Sequence, residues 1–244
     1  MKSEPLDLTS RSSANLHSSP GGNTLAAAEL TCGMIVAVSR HIAPSSAKLK
    51  AGIWDRKSYM GSELYGKTLG IVGLGRIGKE VAIRMQSFGM KTIGFDPIVT
   101  KEEAAKFNVE SMSLDELYPQ VDYITLHVPL IPQTKNMINL EVFKKCKKGV
   151  RIVNCARGGI INEEEAITAL DQGLCGGIAV DVYEQEPPTN RKFVEHEKVL
   201  CTPHLGASTK EAQVRVAVEV AEQLVCLTKG ESVWGCVNPS TLPK

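Results

Sequence analysis

Thr68-Leu-Gly-Ile-Val-Gly73-Leu-Gly75-Arg-Ile-Gly78 decides the fold. A short apolar run passes into Gly-x-Gly-x-x-Gly, and Lys79-Glu-Val-Ala-Ile-Arg-Met-Gln86 then continues with the spacing of an amphipathic helix. Any strand-to-helix turn can carry glycines, so the pattern alone is weak. Its context gives each glycine a distinct role. Gly73 allows a tight turn, Gly75 lets a pyrophosphate approach the backbone, and Gly78 permits close helix–strand packing. The helix start offers free N–H groups and partial positive charge to phosphates. Asp96, 18 residues past Gly78, ends the next apolar run. A carboxylate there accepts hydrogen bonds from the adenosine ribose hydroxyls and repels a 2′-phosphate. No arginine follows closely, so NAD is favoured over NADP.

Outward from this motif the pattern repeats. Apolar runs at 68–73, 91–95, 121–127, 150–154, 177–181 and 199–202 alternate with helical stretches near 77–88, 101–107, 113–118, 139–146 and 162–172. Ser113 with Glu116 and Asn162 with Glu165 have capping-box spacing, and Gly173 supplies a stop. Strands alternating with helices predict an α/β fold with a doubly wound parallel sheet. A leading helix starts at Asn23–Thr24 and Pro44 ends its segment. A last helix runs from Ser208, boxed with Glu211, to about Lys229, before Gly230. The leading helix is apolar nearly all round, and the last carries a stripe through Ala212, Val216, Val220, Leu224 and Leu227. Both are expected to seek surfaces beyond the sheet, which predicts a homo-oligomer joined through residues 24–42. Residues 1–20, with six serines and two prolines, read as a disordered or atypical tail, and 231–244 has no strong pattern.

The 244 residues hold 28 Lys+Arg against 27 Asp+Glu, a net charge of +1. That balance supplies no basic field for nucleic acid or anionic lipid. No run of about 18 apolar residues predicts a membrane span. The start has no apolar core of a signal peptide, and seven scattered cysteines lack CxxC or zinc spacing. Reduced thiols in the cytosol are the expectation.

Three polar clusters fall at strand ends, where open α/β sheets place ligands. Asn154-Cys155-Ala156-Arg157-Gly158 follows one strand; Arg157 either caps a surface carboxylate or offers a guanidinium fork to a substrate carboxylate. Asp181-Val-Tyr-Glu-Gln-Glu186-Pro-Pro188 ends the next, and an acid-rich loop is commonly just solvated. His204 lies in Thr202-Pro-His204-Leu205-Gly206-Ala207 before the last helix; a single histidine is more often structural than catalytic. Together they suit oxidation of a 2-hydroxy acid. Imidazole takes the hydroxyl proton as hydride leaves C2, a carboxylate orients the ring, and Arg157 holds the substrate carboxylate.

ELTCGMI, SFGMKTIGFDP, CKKGVRIVNCARGGI, AVDVYEQEPP and PHLGASTKEAQ, in this order along the chain, resemble the D-3-phosphoglycerate dehydrogenases, a branch of the D-2-hydroxyacid dehydrogenase family. The resemblance runs from about Gly21 to Asn238. It implies Arg157, Glu186 and His204 as catalytic groups, with His204 the acid/base. It implies NAD contacts at Arg76, Ile77, Asp96, Val128, Cys155, Ala156, Arg157, Asp181 and the His204–Ala207 turn, beside Gly73, Gly75 and Gly78. Val128 stands where relatives often carry Thr, so it can meet NAD only through its backbone. The implied substrate is 3-phosphoglycerate, and the implied role is in serine biosynthesis.

The family's substrate lobe precedes the inter-domain helix, and here that helix follows the Ser-rich tail directly. The expected organisation is therefore a tail (1–20), an NAD-binding domain with its leading inter-domain helix (21–206), and a second inter-domain helix with a remnant of the substrate domain (207–244). NAD binding should survive in such a chain while turnover falls. Two alternatives stand beside the dehydrogenase: a catalytically impaired NAD-binding dimerisation module, and a corepressor-type scaffold suggested by Pro5-Leu-Asp-Leu-Thr9.

Overall fold

The computed structural model describes residues 21–231. The expectations for the tail 1–20, its Pro5–Thr9 peptide and most of 231–244 lie outside the described residues. Contacts divide the chain into two compact units, Thr24–Ser208 and a smaller one that includes the last helix.

The larger unit is built on one seven-stranded parallel sheet in the order β3-β2-β1-β4-β5-β6-β7. Its strands are β1 (Thr68–Val72), β2 (Lys91–Phe95), β3 (Glu110–Ser111), β4 (Tyr123–Leu126), β5 (Val150–Asn154), β6 (Cys175–Val180) and β7 (Val199–Cys201). Strand order reverses between β1 and β4, which opens a crevice at their carboxyl ends. Helices α1 (Thr24–Arg40), α2 (Ile42–Lys50), α3 (Arg76–Gln86), α4 (Lys101–Ala105), α5 (Leu114–Leu117), α6 (Leu140–Lys145), α7 (Glu163–Asp171) and α8 (Arg191–Val194) complete it. Two apolar clusters fill the unit. One holds Leu117, Ile124, Phe143, Ile152 and Leu170; the other holds Ile35, Leu69, Ile71, Val81, Met85 and Tyr123.

Several expectations change. Helix α1 does not wait for another domain or subunit: it lies against α3, β5, β6 and β7, burying Ala28, Met34, Ile35 and Val38. Much of its apolar surface is used within its own domain, while Leu25 and, just beyond the helix, Ile42 stay exposed. Pro44 does not end the helical segment: α1 stops at Arg40, His41 turns with φ 51°, and Pro44 sits in the first turn of α2, where a missing N–H is harmless. β3 and α8 are additions to the expected elements; at two and four residues they are too short to show periodicity. Ser113 with Glu116 forms the expected capping box, and Thr100 with Glu103 forms a further one. Asn162 caps α7, but the Glu165 carboxylate bonds Leu140 N and Asn162 Nδ2 instead of returning to the Asn162 N–H.

In the smaller unit, α9 (Lys210–Thr228) is capped by Thr209, whose hydroxyl accepts from Ala212 N at 3.1 Å, and not by Ser208. Arg215 Nε donates to Gly22 O. Val214, Val218, Leu224 and Val225 are exposed along the helix.

Candidate active site

The glycine turn sits at the β1–β4 crevice. Gly73 has φ 97°, and a Cβ there would meet His127 O at 2.5 Å and Val128 Cγ1 at 3.1 Å. A Cβ on Gly78 would fall 2.0 Å from Gly73 O. Packing therefore accounts for the first and third glycines. Gly75 differs: a Cβ there would meet nothing within 4 Å. No side chain caps the start of α3, which follows Gly75 directly. Protein packing leaves the middle glycine unexplained, whereas a diphosphate resting on the first N–H groups of α3 explains it. Asp96 is held at the end of β2, its carboxylate accepting from Leu74 N (2.8 Å), Ile98 N (2.8 Å) and Val99 N (3.1 Å). These residues fit a dinucleotide.

Loops following β5, β6 and β7 carry the remaining polar groups to the same edge of the sheet. Asn154, almost fully buried, staples the first: its Nδ2 donates to Arg157 O (2.9 Å) and its Oδ1 accepts from Ala156 N (3.0 Å). Arg157 is exposed, and among the described residues its guanidinium meets only Ala156 O. The surface-carboxylate reading thus finds no partner. Cys155 lies against the Met34 sulfur at 3.4 Å, and burial pushes its thiol pKa up to about 12, making it an inert wall. The first two loops touch backbone to backbone, since a Cβ on Gly158 would lie 1.6 Å from Tyr183 O. Glu163 braces the second loop by accepting from Glu184 N at 3.0 Å.

His204 and Glu186 are brought together. His204 Nδ1 lies 2.7 Å from Glu186 Oε2, while Glu186 Oε1 accepts from Tyr183 N at 3.3 Å. An ionised carboxylate can only accept, so Nδ1 is the donor in this pair. His204 has φ 56°, a left-handed conformation uncommon for a residue with a side chain. Asp181 is fully buried: Oδ1 accepts from Thr202 Oγ1 (2.6 Å) and Leu205 N (2.7 Å), and Oδ2 from Gly206 N (2.8 Å). Asp181 bonds its own chain and fixes the His204 loop. Asn154 and Glu163, absent from the expected site, are loop supports of the same kind. Their only sequence signals are a polar side chain at a strand end for Asn154 and an acid in the first turn of a helix for Glu163.

Residues 32–206 match the model of the D-isomer specific 2-hydroxyacid dehydrogenase, NAD binding domain. The chain belongs to this family. The D-3-phosphoglycerate dehydrogenase of Homo sapiens is 54% identical over 237 residues, covering 97% of this chain and 44% of that protein. Its namesake in Bacillus subtilis is 49% identical over 225 residues, covering 92% and 43%. The chain thus spans less than half the length of these dehydrogenases. Among solved structures, a glyoxylate reductase from Paecilomyes thermophila superposes with a TM-score of 0.85 at 32% identity, covering 93% of this chain and 69% of that one. A D-lactate dehydrogenase from Aquifex aeolicus, complexed with NAD and lactic acid, gives 0.79 at 28%, covering 89% and 70%. The family match begins within α1 and runs through all seven strands of the sheet to Gly206 in the His204 turn.

Proposed function

We propose that this chain supplies the NAD-binding and acid–base half of a D-3-phosphoglycerate dehydrogenase. The pairing of His204 Nδ1 with Glu186 Oε2 at 2.7 Å carries this reading, because it leaves one imidazole nitrogen free at the edge where the glycine turn opens. Bound NAD supplies the acceptor for the hydride lost from C2 of the hydroxy acid. His204 Nε2 takes the hydroxyl proton, and the Glu186 carboxylate stabilises the imidazolium that forms. Arg157, without a carboxylate partner of its own among the described residues, holds the substrate carboxylate and sets the orientation of C2. The N–H groups of Arg76, Ile77 and Gly78 hold the diphosphate, and Asp96 the adenosine ribose. Val128, Cys155, Ala156 and the 204–207 turn form the walls, with Asp181 beneath the turn. The product is 3-phosphohydroxypyruvate, a step toward serine.

The His204 side chain is 52% exposed and Glu186 38%. That openness supports a second reading, in which the chain binds NAD but turns over slowly because water has access to the reacting atoms. Calorimetry with NAD, together with absorbance at the NADH band in the presence of D-3-phosphoglycerate, tests both. Micromolar NAD affinity with His204-dependent NADH formation supports the enzyme. NAD binding without NADH supports the module. No heat with NAD ends both.

A further inference from the structure

The amino edge of the sheet, opposite the glycine turn, carries a second polar cluster. Lys67 precedes β1, Lys147 and Lys148 precede β5, and Arg151 lies within β5; together they line a depression of about 190 Å³. Asp122 is the one carboxylate lining it. Asp122 Oδ2 is already engaged, accepting from Thr68 N at 2.8 Å and pairing with Lys147 Nζ at 3.2 Å. Four cations against one anion leave three positive charges in excess, and Lys67, Lys148 and Arg151 have no ion pair among the described residues.

Arg151 is the most constrained of the four. Its guanidinium stacks over the Tyr123 ring at 5.6 Å, and Nη2 reaches Ser62 Oγ only at 3.4 Å. Its Nε is buried with no acceptor. A half-buried guanidinium held by an aromatic face, with Nε unpaired and one long bond from Nη2, costs stability, which an anion on its remaining N–H groups offsets. Gly149 in the adjoining turn has φ 83° and open space where a Cβ would stand, so the backbone leaves the depression clear. A surplus of three charges suits a dianion better than a single carboxylate, and a planar fork beside flexible ammonium groups is the usual cradle of a phosphoryl oxygen cluster.

We propose that Lys67, Lys148 and Arg151 form a binding site for a phosphate dianion, free or carried on a small organic molecule, at the amino edge of the sheet. Five-residue strands hold this edge roughly 15 Å from the glycine turn, so the two sites do not compete for one ligand.

The test titrates the 244-residue chain with inorganic phosphate, and in parallel with glycerol 2-phosphate, by calorimetry at fixed ionic strength, with and without saturating NAD. Saturable binding that persists with NAD and weakens at least tenfold in Lys67→Ala/Lys148→Ala supports the site. The tighter of the two ligands tells free phosphate from a phosphorylated metabolite. Arg151→Lys, with its melting curve recorded, should also weaken binding while keeping the charge. Absence of saturation overturns the proposal. So does binding that NAD abolishes and the lysine substitutions leave unchanged, because that anion sits on the glycine turn.

Discussion

The buried Asp181 carboxylate accepts from both Leu205 N and Gly206 N, so the loop that carries His204 hangs from an acid 24 residues earlier in the chain. A carboxylate can serve these two N–H groups and the Thr202 hydroxyl at once because it only accepts. Asp181→Asn turns one acceptor into a donor facing an N–H group. We expect a loss of about 2 kcal/mol in chemical denaturation, from one unmade bond to a charged acceptor inside the protein. Hydrogen exchange at Leu205 and Gly206 should accelerate, while exchange in β1 and β4 is unchanged.

The three glycines of the turn should respond differently. Gly75→Val leaves the melting temperature within a few degrees of wild type, since its side chain meets open space, but weakens NAD binding at least tenfold. Gly78→Val places its Cβ 2.0 Å from Gly73 O and should fail to fold normally. Thermal melts and NAD titrations on the two variants separate ligand space from packing space.

His204→Asn should leave NAD affinity within about threefold and lower turnover by roughly 10²–10⁴-fold, the usual contribution of a positioned acid–base group. Glu186→Gln should act more mildly and alter the pH dependence of kcat/KM, because the imidazole keeps a hydrogen-bond partner but loses its charge. NAD titrations alongside steady-state rates separate the two effects. Equal losses of affinity and turnover in both variants would mean that the pair merely holds the loop.

His127, at the end of β4, bonds Thr125 Oγ1 through Nε2 at 3.0 Å, and burial pushes its pKa down from 6.5 to about 3. Between those values the unfolded chain binds a proton that the folded chain refuses. This group's contribution to stability is therefore complete above about pH 6.5 and is lost progressively as pH falls toward 3. Urea midpoints measured from pH 7 to pH 4 should decline, and the decline should be shallower in His127→Gln.

The alternation of apolar runs and helices was legible because β1, β2, β4, β5 and β6 are buried long enough to read as runs, and the crossovers follow from the parallel order. Short elements escaped because two residues in β3 and four in α8 cannot display a period. Ser208 and Thr209 are both good caps, and sequence alone could not choose between them; a turn in which Ser208 N donates to Leu205 O leaves Thr209 at the helix start. The residues of the candidate site were legible largely through likeness to a family. What Asp181, Asn154 and Glu163 do was not, because each acts on backbone of a loop whose position depends on the closed sheet.

The contact of Gly158 with Tyr183 O has its own consequence. With no room for an atom between them, the turn bearing Arg157 and the turn bearing Glu186 are packed backbone against backbone. A methyl group at Gly158 would shift both, so this one position ties the placement of Arg157 to that of Glu186.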